Sequence, residues 1–539
     1  MKLKERVVMM KDGQVKWVMA VIFILLVFLK IIPAALVNFD LWYPLDDAYI
    51  CHQFASNLAA GHFLTFSVGE PLTNGCTSFL YYLLNAAVIF VLKIFMTGEL
   101  LFKTTQLVLM GINFIFYGLA IIIFKKIFEY LIPSAKWNLI FWILLSVFSM
   151  NTILFSAFSG LEVALTLLLV MLESYYFVTD KHDRLFIVML IANINRPENI
   201  VMNMFIVAYY YAKILFKKIK LNRFTLFCFC LAQTSLIAVP LINYISLGSV
   251  FLSSATRVGV SDSSNILLQF CWMFMTSVMK NLGFLNFFAL IFFLPEYYLP
   301  KVETIRMFSL SMLVPVLIFG CYLHSLRQLN NSFFKILIVF TSYLALHFFV
   351  GNVGEWGRYV VPVFPMFMLL VYVLCSHVNL SFMKLIALIT LIINLFVFPV
   401  WCYYSVETLK IEHRLIWPIA KYIEGHLKTT DRIGIDSAGI LSVNNPGVSI
   451  DVYGLGTKRY ASIHGDFKSV YQQIRNDRLN YFITWPTKDK SYYLDSAHYG
   501  AAYEGKAKIK KIFSAKYDET YLFHKEFPKE LALYRVIHL

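Results

Sequence analysis

Long apolar stretches recur through the first 404 residues, most of them near the roughly 20 residues a helix needs to cross a bilayer. They fall at 15–37, 78–96, 104–124, 137–157, 160–178, 198–215, 224–245, 264–281, 282–298, 304–324, 336–351, 357–377 and 383–404, with a shorter run at 184–195. This pattern predicts a polytopic α-helical membrane protein. Sidedness follows from the positive-inside rule. Lys2, Lys4, Arg6, Lys11 and Lys16 place the N-terminus in the cytoplasm. Three internal loops are basic: one with Lys125, Lys126 and Lys136, one with Lys181 and Arg184, and one from Lys213 to Arg223. If 15–37 and 78–96 both cross, the first of these loops falls outside. All three lie inside together when 78–96 does not cross. We therefore expect 78–96 to be a juxtamembrane or re-entrant helix within a long external loop, 38–103. The remaining runs then give 13 spans, or 11 if 264–298 lies along the interface, and leave the C-terminus outside.

After about residue 405 the pattern changes. "DRIGIDSAGILSVNNPGVSIDVYGL" alternates short β-branched runs with turn signals. Residues 405–539 are enough for a small α/β domain, which the topology puts on the extracytoplasmic side of a 1–404 transmembrane domain.

Composition agrees with a membrane protein. The 539 residues are 59% hydrophobic and 15% charged, and mean hydropathy is +0.67, whereas soluble chains run at roughly 45–50% apolar and about 25% charged. A net charge of +15 raises nucleic acid as a partner, but the basic residues gather in cytoplasmic loops and no nucleic-acid motif is present. Among the eight cysteines, Cys228, Cys230, Cys271, Cys321, Cys375 and Cys402 lie in or beside apolar runs as small hydrophobes. Cys51 and Cys76 flank the first loop; a disulfide between them is open to them if that loop is extracytoplasmic, and the sequence does not give their separation.

Under this topology, five polar segments converge on the external face. They are "YPLDDAYICH" with Asp46 and Asp47, "SGLE" ending in Glu162, "NRPEN" with Arg196 and Glu198, "SLGSVFLSSATR" ending in Arg257, and "GNVGEWGRYVVPVFP" with Arg358. Each has a structural reading. Asp46 and Asp47 can complement a helix N-terminus, Glu162 can be a first-turn acid, and Arg196, Arg257 and Arg358 can anchor at the interface. His52 and His62, ten apart in a loop, are a weak metal signal. Tyr81, Tyr82 and Trp356 read as interface aromatics. The co-location is what favours a site, since ionisable groups at membrane depth usually line a cavity. A carboxylate can act as general base toward a sugar hydroxyl or hold a divalent metal. Arginines suit a phosphate leaving group, and a site reached from lipid suits a polyprenyl-linked substrate. No Walker loop, HExxH or GxSxG occurs in a usable context.

The stretch "DDAYICHQFASNLAAGHFLTFSVGEPLTNGCTSFLYYLL" resembles the first-loop signature of a bacterial group of GT-C glycosyltransferases, with DDAYI, NL, GE, NG and TSFL in order. "SGLEVAL", "ANINRPENI", "WGRYVVPVFP" and "DRIGIDSAGILSVNNPGVSIDVYGLG" resemble later elements of that group; "NYISLGSVFLSSATRV" resembles its donor loop only loosely, without Pro-Asn. The nearest members are cell-wall arabinofuranosyltransferases, with lipid A aminoarabinose transferases and protein mannosyltransferases further off. The resemblance implies a GT-C fold with an extracytoplasmic α/β domain, and inverting transfer from a polyprenyl-phosphate sugar to an envelope glycan or glycolipid. Asp46 would be the base and a candidate ligand for a divalent cation (Mg2+, Mn2+ or Ca2+). Asp47 would orient it, Glu162 would be a second acid, and Arg196, Glu198, Arg358 and Arg257 would serve phosphate binding and ion pairing. Gln53 stands where the group often has Arg. The implied setting is a monomer in the bacterial inner membrane with its site facing the periplasm. The rival readings are a lipid-linked sugar transporter or flippase, and a non-catalytic envelope assembly protein.

Overall fold

The computed structural model describes residues 2–248, 331–350, 361–376, 380–435, 438–443, 445–461, 463, 466–486, 507–517 and 529–538. The expected runs 264–281, 282–298 and 304–324, together with Arg257, Arg358 and Trp356, lie outside them. Among the described residues, four helical stretches are long and apolar enough to cross a membrane: Gly13–Ala35, Gly98–Leu131, Arg223–Leu247 and Leu380–His426. The pair Asn138–Phe148 and Asn151–Ala157, bent by 60°, makes a fifth if it counts as one span. The chain is thus a multi-pass helical membrane protein. Several expected spans come out shorter than the apolar runs that suggested them. The run 160–178 yields only Val163–Val178, because its first residues form a polar turn.

The first helix, α1 (Lys2–Leu26), passes through a π-helical turn at Val27–Ile31 into α2 (Ile32–Ala35). The first loop carries α3 (Asp46–Ala59) and α4 (Phe79–Leu92). At 14 residues, α4 is about 21 Å long, short of the roughly 30 Å hydrocarbon core. Ser78 caps it by accepting the Tyr81 N–H at 3.2 Å, and it packs on α3. There follow α5 (Gly98–Leu131), α6 (Trp137–Phe148), α7 (Asn151–Ala157), α8 (Val163–Val178), α9 (His182–Asn195), α10 (Pro197–Leu215), α11 (Arg223–Ser235) and α12 (Ala238–Leu247). After the next described stretches, α13 (Asn331–Val350) and α14 (Phe364–Ser376), α15 (Leu380–Ile411) leads through a π-helical turn at Glu412–Ile416 into α16 (Trp417–His426).

The boundary read at 404/405 falls inside this continuous helix; the sheet begins only at Arg432. Its strands are β1 (Arg432–Ile435), β2 (Val448–Asp451), β3 (Tyr481–Thr484), β4 (Ala507–Lys516) and β5 (Glu530–His538), in the order β2-β1-β3-β5-β4. The pairs β1–β2 and β1–β3 are parallel, and β5 joins β3 and β4 antiparallel. The three parallel strands are short and apolar, as strands covered on both faces must be. One face packs Ile450, Phe482 and Tyr534 against Val470 and Ile474 of the crossover helix Phe467–Asn476. The other places Ile433, Ile435, Ile483 and Leu533 in one core with Ile419 and Ile423 of α16. The sheet is therefore set down on the C-terminal end of the last long helical stretch.

The first loop is fastened to this sheet. Ser67 Oγ donates to the Ser449 carbonyl at 2.8 Å and accepts the Ser449 N–H at 3.1 Å. Glu70 pairs with Arg432 at 2.8 Å and also with Arg459. Gly75 has no room for a Cβ against the Leu455 carbonyl, nor Gly456 against the Phe66 ring.

Candidate active site

Leu45 is extended, and α3 starts at the next residue, so Asp46 and Asp47 lie in its first turn, where carboxylates complement the helix dipole. Neither is the N-cap. Asp46 turns instead to the sheet domain: its two oxygens accept the backbone N–H of Gly439 at 2.9 Å and of Ile440 at 3.0 Å. Burial pushes its carboxyl up to about 6. The two backbone bonds pull the other way, and the neighbouring charges of Asp47 and Asp451 add to the rise.

Behind α3 a net of hydrogen bonds sets the entry into the helix. Tyr49 Oη donates to the Tyr43 carbonyl at 3.1 Å, Tyr43 Oη donates to the Gln106 carbonyl at 2.8 Å, and Gln106 Oε1 accepts the Trp42 N–H at 3.0 Å. The "SGLE" turn closes directly on this start. Gly160 has φ +91°, and a Cβ there would overlap the Tyr43 ring and the Ala48 side chain. A residue that tolerates left-handed backbone and offers no side chain is required on both counts.

Two residues past Gly160, Glu162 ends the turn at the start of α8. Its carboxylate pairs with Arg196, whose fork also holds Glu198 at 2.9 Å from Nε and 2.8 Å from Nη2. Arg196 precedes Pro197 at the first position of α10, and Glu198 follows in the first turn. The "RPE" spacing thus lets one arginine clamp two acids, with all three side chains nearly closed to solvent (3–4% exposed). Beside them Ser78 donates to Asn195 at 2.7 Å, Asn195 to Thr166 at 2.9 Å, and Thr166 to the Glu162 carbonyl at 3.1 Å. The loop motif "TSFL", the "SGLE" turn and the "NRPEN" turn are therefore one hydrogen-bonded assembly.

Of the sequence-predicted residues, Asp46, Asp47, Glu162, Arg196 and Glu198 fall in two groups that adjoin through the Gly160 contact. Arg257 and Arg358 lie outside the described residues. The segment that follows Arg358, Val361–Val363, packs against α7 and α8. Cys51 and Cys76 are disulfide-bonded, with Cα atoms 5.2 Å apart. Gln53, where the resembling group often has Arg, donates to the Phe66 carbonyl at 3.1 Å, and Asn57 donates to the Thr65 and Phe66 carbonyls. The position holds the loop backbone. His52 packs edge-on against Phe102, and burial pushes its ring down to about 4, so it is neutral.

The sequence reading did not single out Gly439, Asp451 or Glu412. Glu412 stands on the π-helical turn after α15, within electrostatic reach of Asp46. Asp451 ends β2 and accepts the Tyr453 and Gly456 N–H groups. Each Asp46 oxygen keeps a lone pair beyond the one its backbone donor takes. Among the described residues no three His, Cys, Asp or Glu side chains gather as a metal-holding group.

No family model matches the chain, and no curated protein matches it in sequence. Among solved structures it is similar to ArnT from Cupriavidus metallidurans, crystallised bound to undecaprenyl phosphate, with a TM-score of 0.48 and 9% identity over 97% of this chain and 98% of that one. At that level the likeness bears on neither the reaction nor the substrate.

Proposed function

We propose that the protein is an inverting glycosyltransferase of the GT-C type. It transfers a sugar from a polyprenyl-phosphate donor to a hydroxyl of a cell-envelope glycan or glycolipid, on the extracytoplasmic face of a bacterial inner membrane. The observation that carries this reading is Asp46: a part-buried carboxylate with its acidity shifted toward neutrality, placed where the first external loop meets the sheet domain. A general base works best when its pKa lies near the operating pH. The ordered resemblance of five further segments to the GT-C group supports the reaction class.

In the proposed reaction the acceptor hydroxyl oxygen attacks the anomeric carbon as Asp46 takes the hydroxyl proton. The new glycosidic bond forms while the bond from that carbon to the phosphate oxygen breaks, and polyprenyl phosphate leaves with the electron pair. Asp47 orients the acceptor. Glu162 faces the sugar, and Arg196 fixes it in place. Because the Arg196 fork already holds two acids, its part is to set their geometry as well as to offset negative charge.

The test is incubation of the purified protein in nanodiscs with polyprenyl-phosphate sugars and envelope acceptors, with released polyprenyl phosphate scored by mass spectrometry. Release in the wild type and none in Asp46→Asn is expected. Translocation of the donor without release would favour a carrier instead.

A further inference from the structure

Lys30 is a buried cation that the proposed reaction leaves unused and that, unlike the buried Lys125 and Lys335, has no acid beside it among the described residues. It lies on the π-helical turn Val27–Ile31 of the first span, a widening of the helix that recurs at functional sites. The turn sends Leu29 and Lys30 inward, at 0% and 1% exposed, while Phe28 faces out at 48%. Among the described residues Lys30 Nζ has no hydrogen-bond partner, and it lies over the face of the Phe155 ring, 4.3 Å from the centroid. Long lysines normally lift their ammonium to the interface; this one is turned into the bundle.

The surroundings suit a ligand that brings its own negative charge. Phe155 packs against Trp401 and Tyr404 of α15, with ring centroids 5.2 and 5.8 Å away. Next along that helix, the buried Ser405 hydroxyl also has no hydrogen-bond partner among the described residues. A cation, a hydroxyl donor and an aromatic wall are the groups that hold a phosphate ester beside an apolar chain. Phe155 is on α7, and the chain runs from that helix directly into the "SGLE" turn that carries Glu162. An ammonium closed off from water favours an anionic partner over none, since a charge at membrane depth is costly alone.

We infer that Lys30, with Ser405 and the Phe155 ring, forms a membrane-depth site for a phosphate ester. Assigning that ester to the polyprenyl phosphate of the donor, before and after transfer, rests on the proposed function; the anion site itself does not. Arg196, engaged by two carboxylates, then shares the phosphate charge with a second cation approached from the lipid side.

Binding to the full-length protein in nanodiscs, measured by native mass spectrometry without turnover, tests this. Polyprenyl phosphate should bind wild type and Asp46→Asn alike, and uncharged polyprenol of the same length at least tenfold more weakly. Lys30→Met should weaken polyprenyl phosphate at least tenfold, and Lys30→Arg should retain most of it. Inorganic phosphate is the second arm: competition at equal concentration would assign the site to free phosphate, and no competition to the lipid. Equal binding of polyprenol and polyprenyl phosphate by the wild type, or unchanged binding by folded Lys30→Met, would overturn the site. Intact binding here with no transfer in any assay would instead remove the glycosyltransferase reading and leave the site standing.

Discussion

Asp46 and Gly439 are 393 positions apart, yet the Gly439 N–H donates to the Asp46 carboxylate at 2.9 Å and a Cβ on Gly439 would overlap that carboxylate. The residue proposed as base is thus also the point where the sheet domain is pinned to the membrane domain. Gly439→Ala should push the two apart. Overpacking of this kind typically costs about 1–3 kcal/mol, and a displaced base should lower turnover at least tenfold, about 1.4 kcal/mol of barrier. The check is turnover beside the melting temperature: a variant with wild-type turnover would separate the pin from the chemistry.

The same pin alters what to expect of Asp46→Asn. An asparagine keeps one acceptor oxygen and presents an NH2 group to the other backbone N–H. One buried donor is then unsatisfied, at about 1–3 kcal/mol. The variant should therefore lose transfer and also melt lower than wild type.

Asp46 also sets a pH dependence with opposite signs for activity and stability. As a base it must be ionised, so kcat/KM should fall about tenfold per pH unit below about 6. The folded protein holds the Asp46 proton more tightly than an unfolded chain, in which the carboxyl keeps its ordinary value of 3.8. Its contribution to stability is thus fully present at acid pH and is lost as pH rises from about 4 to about 6. Denaturation midpoints across this window, wild type against Asp46→Asn, should show that limb only in the wild type. An unchanged limb would assign it to another group.

Much of the architecture around the candidate site was legible because the signals are local. The charge of Lys125, Lys126 and Lys136 argued for 78–96 as a helix inside the first loop, and α4 there is 14 residues long. Gly160 and Glu162 sit in one short turn, and Arg196 and Glu198 flank one proline. What escaped reading is what depends on contacts across the chain. The helix α15 runs past residue 404 because loss of hydrophobicity ends the apolar layer and leaves the backbone hydrogen-bonding intact. Nothing in "SAGIL" announces that its amides receive Asp46. Lys30 stands within the first apolar run, but only the packing shows that no acid among the described residues answers it.

The Arg196 clamp predicts asymmetric costs. Arg196→Met leaves Glu162 and Glu198 buried without their counter-charge, a loss typically of about 3–5 kcal/mol. It should appear as poor yield and a clearly lowered melting temperature. Arg196→Lys keeps the charge but gives up the fork that spans two carboxylates, and should fall between. Adding Glu162→Gln to Arg196→Met should recover part of the stability while leaving transfer absent. If the double variant is no more stable than Arg196→Met, the pair is not coupled as the structure has it.

Cys51 lies on α3, and Cys76 lies two residues before the cap of α4, so their bond closes a loop whose ends are 25 residues apart in sequence. That loop carries Ser67 and Glu70, two of the residues that hold the sheet domain. Closing a loop of this length restricts the unfolded chain by about 3 kcal/mol in the chain-entropy picture. Replacing both cysteines by serine should lower the melting temperature by a corresponding amount and should expose the sheet domain to limited proteolysis, because these two anchors then ride on an untethered segment. Reductant should act on the wild type in the same way and have no effect on the double variant. The bond also reports sidedness, since disulfides persist in oxidising compartments and are rare in the cytoplasm. Protein taken from membranes with its thiols blocked should be about 2 Da lighter than the fully reduced form after correction for the blocking group. Quantitative labelling of Cys51 and Cys76 in intact membranes would place the loop on the opposite face and remove the extracytoplasmic site with it.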